Sequence, residues 1–182
     1  HRGHGRSPGR RMFVNKWSEY LDDLDLFIKL VKERWVGRPF FLYGHSMGGN
    51  ITLNYVLRHP DGYNAVIASA PAVGKLDIAP VMALLSKVMS RLAPAIQVKT
   101  NLELTDISRD PVEAKAYGAD PLIQTFATPR FGVEFPTAAE WAMAHANEFK
   151  PPLLMIHGDA DNIVNVSASR SFFAQVPQPD KK

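Results

Sequence analysis

The 182-residue chain contains no cysteine, which excludes a disulfide framework and a cysteine-ligated metal site. No apolar run approaches the ~18 residues of a membrane-spanning helix. Neither sign of charge dominates, with 21 Lys and Arg against 18 Asp and Glu, a formal net charge of +3. Arg2, Arg6, Arg10 and Arg11 give the opening loop a basic bias. Aromatic residues are not interleaved with them as in a nucleic-acid surface, so no nucleic-acid partner is expected. No pair of histidines has the H-x-x-x-H helical spacing of a zinc site, and no metal is expected. No initiator methionine and no secretory leader are visible. The chain opens in a Gly/Arg/Ser/Pro loop and closes on the turn-like Pro177-Gln178-Pro179-Asp180-Lys181-Lys182. Both ends read as cut mid-fold. The last absence bears on chemistry: of six histidines, none follows His157.

What remains is an ordinary globular composition, 46% hydrophobic and 21% charged, in a length that suits one packed core. From Lys16 to Val36 the apolar positions are Trp17, Tyr20, Leu21, Leu24, Phe27, Ile28, Val31 and Trp35, the spacing of one helical face. Gly37 and Pro39 stop that helix. Phe40 to Tyr43, Ala65 to Ala68 and Leu153 to Ile156 read as short buried strands, and Gly49 to Leu57 as a helix between the first two. Apolar strands alternating with helices predict an α/β fold, a parallel sheet with helices on both faces.

About 80 residues separate the second strand from the third, against the ~30 of a simple crossover unit. The excess predicts a helical cap inserted into the core. The expected organisation is core over 1–71, cap or lid over 72–148, and core again over 149–182. Within the cap, Val81, Leu84, Leu85, Val88, Met89 and Leu92 form one apolar helical face. It reads either as packing on the core or as an amphipathic lid that touches lipid aggregates. Thr137 to Phe149 reads as a returning helix, with Thr137 as N-cap and Glu140 as its capping-box partner.

Gly44-His45-Ser46-Met47-Gly48 lies between a predicted strand and a predicted helix. That context makes G-x-S-x-G a nucleophile elbow, with glycines where side chains would collide in a strained turn. Ser46 is the candidate nucleophile, and the Met47 N–H a candidate oxyanion donor. In a parallel sheet, reactive groups gather at the carboxyl ends of strands. There His157-Gly158-Asp159-Ala160-Asp161 supplies two candidate acids, and the residue pattern leaves Asp159 and Asp161 even. The same chemistry needs a histidine to take the serine proton. His157 reads as packing, His45 as an elbow or pocket-wall residue, His59 as complementing a helix carboxyl end, and His145 as surface or cap packing. His1 and His4 belong to the opening loop.

Three motifs together resemble the monoacylglycerol lipase and lysophospholipase branch of the α/β-hydrolases, a serine aminopeptidase-like family. Arg2-Gly3-His4-Gly5-Arg6-Ser7 with Gly9 is similar to its R-G-H-G-x-S-x-G loop. Gly44 to Gly49 is similar to its G-H-S-M-G-G elbow, and Gly158 to Asp161 to its G-x-x-D acid motif. The resemblance implies Ser46 as nucleophile, Asp161 rather than Asp159 as acid, and Met47 N–H as oxyanion donor. The family's early strands and H-G oxyanion loop would precede His1. Its catalytic histidine, ~25–35 residues past the acid, would follow Lys182. The expectation is therefore an internal piece of an enzyme, inactive alone. The whole would hydrolyse a small lipid-like ester such as a monoacylglycerol or lysophospholipid without a cofactor, with transient membrane or micelle contact through the cap. Location stays open between cytoplasmic and peripheral membrane. A proline iminopeptidase-like aminopeptidase is an alternative, for which Glu103, Asp106, Asp110 and Glu113 are the only candidates for a substrate-amine site. A hydrolase of small esters or haloalkanes and a non-catalytic remnant are the others.

Overall fold

The computed structural model describes residues 1–100 and 103–182. In chain order its elements are α1 (Ser18–Arg34), β1 (Phe41–His45), α2 (Met47–Arg58), β2 (Ala65–Ser69), α3 (Pro80–Leu92), β3 (Val98–Lys99), α4 (Pro111–Ala119), β4 (Phe126–Ala127), α5 (Phe131–Ala144), β5 (Leu153–Ile156) and α6 (Val166–Gln175). No described helix is long and apolar enough to cross a membrane. The chain divides into two compact units, residues 24–77 with 136–182, and residues 1–23 with 78–135.

The first of these units carries a parallel sheet in the order β1-β2-β5. Tyr43 pairs with Ile67, and Ile67 with Leu154. Side chains alternate between sheet faces, and here the two faces of β1 differ. Leu42 is buried, whereas Phe41 and Tyr43 are exposed. The expected burial of β1 on both faces is therefore met on one. Val66, Ala68, Leu153, Ile51, Leu53 and Val56 supply the core.

The closing residues bend at Pro179–Asp180, where Lys181 N–H donates to Pro179 O at 3.0 Å, and then pair with β5. Leu153 N–H donates to Asp180 O at 3.0 Å, Lys182 N–H to Leu153 O at 2.9 Å and Met155 N–H to Lys182 O at 2.8 Å, a parallel pairing along β5. Between β5 and this pairing lies α6. Asn165 caps it by accepting from Ser167 N–H at 2.8 Å. Lys181 Nζ closes it by donating to Phe173 O and Val176 O at 2.7 and 2.6 Å, a cation where the helix carboxyl end favours one.

In the second unit the opening loop is tied to α1. Arg2 donates to both carboxylate oxygens of Asp23, at 2.8 and 2.6 Å, and to Glu19 at 2.8 Å. The guanidinium holds the Asp23 carboxyl below its ordinary range. Gly3 has a φ of 70° and would drive a Cβ into Arg10 O, so the loop's first glycine is required by both conformation and space.

Two helices depart from the reading. Of the face predicted over 16–36, Trp17, Tyr20, Leu21, Leu24 and Ile28 are buried, but Phe27 and Trp35 are exposed. The helix predicted from Thr137 begins at Phe131 and ends at Ala144, with a 3-10 turn at Ala146–Glu148 after it. Its entry is set by Thr128, whose Oγ1 accepts from Phe131 N–H and whose carbonyl accepts from Gly132 N–H. Pro136 therefore stands inside the helix, a placement that costs about 3 kcal/mol. Packing opposes that cost, with Trp17 stacked on Phe135 at 5.3 Å and tilted against Phe131 at 6.1 Å.

α3 is inverted relative to ordinary amphipathic packing. Val81, Leu84, Leu85, Val88 and Leu92 are exposed, and Ser90 is the buried residue of the helix. Ser86 faces the other way and lies against Gly132.

Candidate active site

Ser46 stands between β1 and α2 with φ 54° and ψ −119°, a conformation that costs of order 1–3 kcal/mol for a residue with a side chain. Backbone bonds on both sides hold it there. Its N–H donates to Ser69 O at 2.9 Å, and its carbonyl accepts from Asn50 N–H at 3.0 Å and Ala72 N–H at 3.2 Å. Ser46 makes no side-chain cap bond to α2. The first N–H groups of a helix lack intrahelical acceptors, and Met47 opens α2. Its N–H therefore points partial positive charge outward beside the serine.

Space explains two of the three glycines. A Cβ at Gly44 would strike Gly48 O and Thr52 Oγ1, and one at Gly49 would lie 2.8 Å from Pro71 Cβ. At Gly48 it would meet nothing within 4 Å, so the expectation of collision on both sides fails there. Gly49→Ala should cost about 1–3 kcal/mol by overpacking. Gly48→Ala should be neutral or stabilise by up to about 1 kcal/mol through helix propensity. Thermal denaturation of the two variants in the complete protein checks the contrast. Equal losses would show that Gly48 is also sterically required.

Asp161 follows β5, two strands from Ser46 in the sheet, so the two strand ends are roughly 10 Å apart. Asp161 Oδ1 accepts from Ile163 N–H and Val164 N–H, both at 2.8 Å. Its Oδ2 lies 3.3 Å from His157 Nε2. Asp159 is exposed. The two acids, even by residue pattern, thus differ in structure, and only Asp161 is fixed by backbone donors and a histidine.

His157 has a side chain only 5% exposed. Its Nε2 also lies 3.1 Å from Val164 O, and its Nδ1 lies 2.8 Å from Ser169 Oγ. A carbonyl only accepts, so Nε2 carries a hydrogen toward Val164 O. Both ring nitrogens therefore have partners, Nε2 in the Asp161 loop and Nδ1 on α6. His45 is exposed, with Nδ1 3.1 Å from Ser69 Oγ. His145 stacks on Trp141 at 4.0 Å. His59 tilts against Tyr55 at 4.6 Å.

The sequence reading missed a buried line of amides along α2. Asn50 Nδ2 donates to Ala72 O at 2.7 Å. Asn54 Nδ2 donates to Asn50 Oδ1 at 3.0 Å and to Ala138 O at 3.0 Å. Arg58 Nη1 donates to Asn54 Oδ1 at 2.8 Å, and its guanidinium lies 3.3 Å from the Trp141 ring centroid. Burial lowers the Arg58 pKa. The available signal was the four-residue spacing of Asn50, Asn54 and Arg58, which places them on one helical face.

The profile of the family described as serine aminopeptidase, S33, matches residues 1–182. The chain is 35% identical to a monoacylglycerol lipase of Mycolicibacterium smegmatis over 99% of its own length and 65% of the relative's. The crystal structure of the Paleococcus ferrophilus monoacylglycerol lipase superposes with a TM-score of 0.88 at 32% identity, covering 98% of this chain and 68% of that one. A soluble variant of monoglyceride lipase from Saccharomyces cerevisiae, in complex with a substrate analog, gives 0.83 at 26% identity, covering 99% and 64%. The chain thus spans about two thirds of the length of the proteins it resembles. With its parallel sheet and its serine turn between β1 and α2, it belongs to the serine aminopeptidase S33 family and has the α/β-hydrolase fold.

Proposed function

We propose that the complete protein is a serine hydrolase that cleaves carboxylic esters of lipid-like substrates, monoacylglycerols or lysophospholipids, through an acyl-enzyme on Ser46. The observation that carries this reading is the Ser46 backbone, strained at φ 54° yet bonded on both sides. Strain that the surroundings over-determine is a mark of a functional site. Ser46 Oγ attacks the ester carbonyl, and Met47 N–H helps hold the tetrahedral oxyanion. Asp161 orients a histidine from outside residues 1–182, which takes the serine proton and returns it to the leaving alcohol. Water then releases the acyl group. His157 is not that base, because both its ring nitrogens are engaged. The scheme needs no cofactor. The lipid-like substrate class is drawn from the names of the relatives and from the substrate analog in the yeast complex.

Residues 72–148 act in this scheme as the cap, with α3 as its lipid-contacting helix. The support is the inversion of α3, whose apolar side chains lie in solvent while Ser90 is buried. Each such side chain gains of order 1.5–3 kcal/mol when it leaves water. The double variant Leu84→Asp/Val88→Asp should therefore reduce the liposome-bound fraction at least ~10-fold, with hydrolysis of a water-soluble ester unchanged. Liposome co-flotation reads this directly, and undiminished binding would remove α3 from the scheme.

The substrate test compares 1-monoacylglycerol, a lysophospholipid and an aminoacyl anilide on the complete protein. Faster cleavage of the anilide would favour the aminopeptidase alternative. Of the four acidic residues that alternative could use, Asp110 is committed to capping α4, accepting from Val112 N–H at 2.8 Å.

A further inference from the structure

We infer that Asn50 is a positioning residue for Ser46, acting through the peptide at Ala72; this rests on the serine-hydrolase reading. The backbone of Ala72 is held on both sides. Its N–H donates to Ser46 O at 3.2 Å, and its carbonyl accepts from Asn50 Nδ2 at 2.7 Å. One residue thereby reaches the strained serine from two directions, because Asn50 N–H also donates to Ser46 O at 3.0 Å. Asn50 is fully buried, and a buried polar side chain is retained in a core only when its bonds are made. Its Oδ1 is fixed in turn by Asn54 Nδ2. The amide therefore cannot flip without setting donor against donor.

The segment it holds is itself strained. Ala70 has φ 41°, and Pro71 approaches so closely that Gly49 has no room for a Cβ. Ala70 N–H is anchored to Ile156 O at 2.7 Å. Residues 70–72 thus form a strap pressed on the start of α2, fixed at one end by β5 and at the other by Asn50. Without the Asn50 amide, the Ala72 carbonyl is buried without its donor, and the cheapest relief is a shift of the strap. That shift weakens the bond that holds the Ser46 carbonyl, so the serine loses its orientation while the rest of α2 stays packed. A displacement near 1 Å at a reacting group costs up to about 100-fold in rate.

The experiment compares Asn50→Ala with Arg58→Ala in the complete protein. Arg58→Ala cuts the same line of amides at its far end, two helical turns from Asn50. Thermal midpoints, kcat and KM for a p-nitrophenyl ester, and the rate of labelling by a fluorophosphonate are measured for both. The expected result is a ~10- to 100-fold fall in kcat and in labelling rate for Asn50→Ala, with KM within about twofold. Arg58→Ala should lose thermal stability and keep its kcat. Unchanged kcat in folded Asn50→Ala would overturn the inference, as would a fall in kcat that follows the thermal midpoint equally in both variants. If Asn50→Ala does not fold, hydrogen exchange on the wild-type protein decides. Ala72 N–H should be protected like the core of α2, and exchange at the rate of an open loop would overturn the inference. A wild-type protein that fluorophosphonate does not label at Ser46 would contradict the serine-hydrolase reading instead.

Discussion

Ser46→Ala in the complete protein is expected to lower kcat for ester hydrolysis by about 10⁶-fold while leaving the thermal midpoint almost unchanged. The size follows from the chemistry. Without Oγ there is no acyl-enzyme, and only binding and the oxyanion donors remain to speed attack by water. The small stability effect follows from the structure. The bonds that fix residue 46 come from its backbone N–H and carbonyl, and the serine side chain does not cap α2. Alanine keeps all of those backbone bonds and suffers the same positive-φ strain as serine. Steady-state kinetics with circular dichroism melting reads both quantities. A variant that retained a tenth of the activity would rule out Ser46 as the nucleophile.

The second large effect is expected at Asp161. Asp161→Asn should lower kcat by about 10⁴-fold through loss of the orienting charge, with the fold kept. One amide oxygen still accepts from Ile163 N–H and Val164 N–H, as Oδ1 does in the wild type. The change falls on Oδ2, where an NH₂ would confront the hydrogen on His157 Nε2 at 3.3 Å. Some loss of stability, about 1–2 kcal/mol, follows from that opposed pair of donors. Asp159→Asn is the control. Asp159 is exposed, and its activity should stay within about twofold of wild type, in the range of surface substitutions. Equal losses at 159 and 161 would reject Asp161 as the particular acid.

Much of this architecture could be read from residue order. Three short apolar runs became β1, β2 and β5 in a parallel sheet, and the glycine-flanked serine fell at the turn between β1 and α2. These were legible because strand length, glycine placement and apolar content are local properties. What was missed depends on partners distant in sequence. The start of α5 was misplaced because Pro136 resembles a helix boundary, while the actual entry is set by Thr128 and by packing of Phe131 and Phe135 on Trp17. The pairing of Asp180 to Lys182 along β5 carries no apolar signature, since its residues are charged. Periodicity found the apolar face of α3 but not the direction in which it points, and Val81, Leu84, Leu85, Val88 and Leu92 are exposed. At the site, the motif gave Ser46 and Asp161 as candidates. The part played by Asn50 required knowing that Ala72, 22 positions away, folds back onto it.

The most direct measurement is fluorophosphonate labelling of the complete protein, followed by peptide mass mapping, alongside monoacylglycerol hydrolysis on the same sample. The account predicts one adduct, on Ser46, whose stoichiometry rises in step with loss of hydrolysis. An adduct on another serine, or hydrolysis that persists when Ser46 is fully modified, would contradict it.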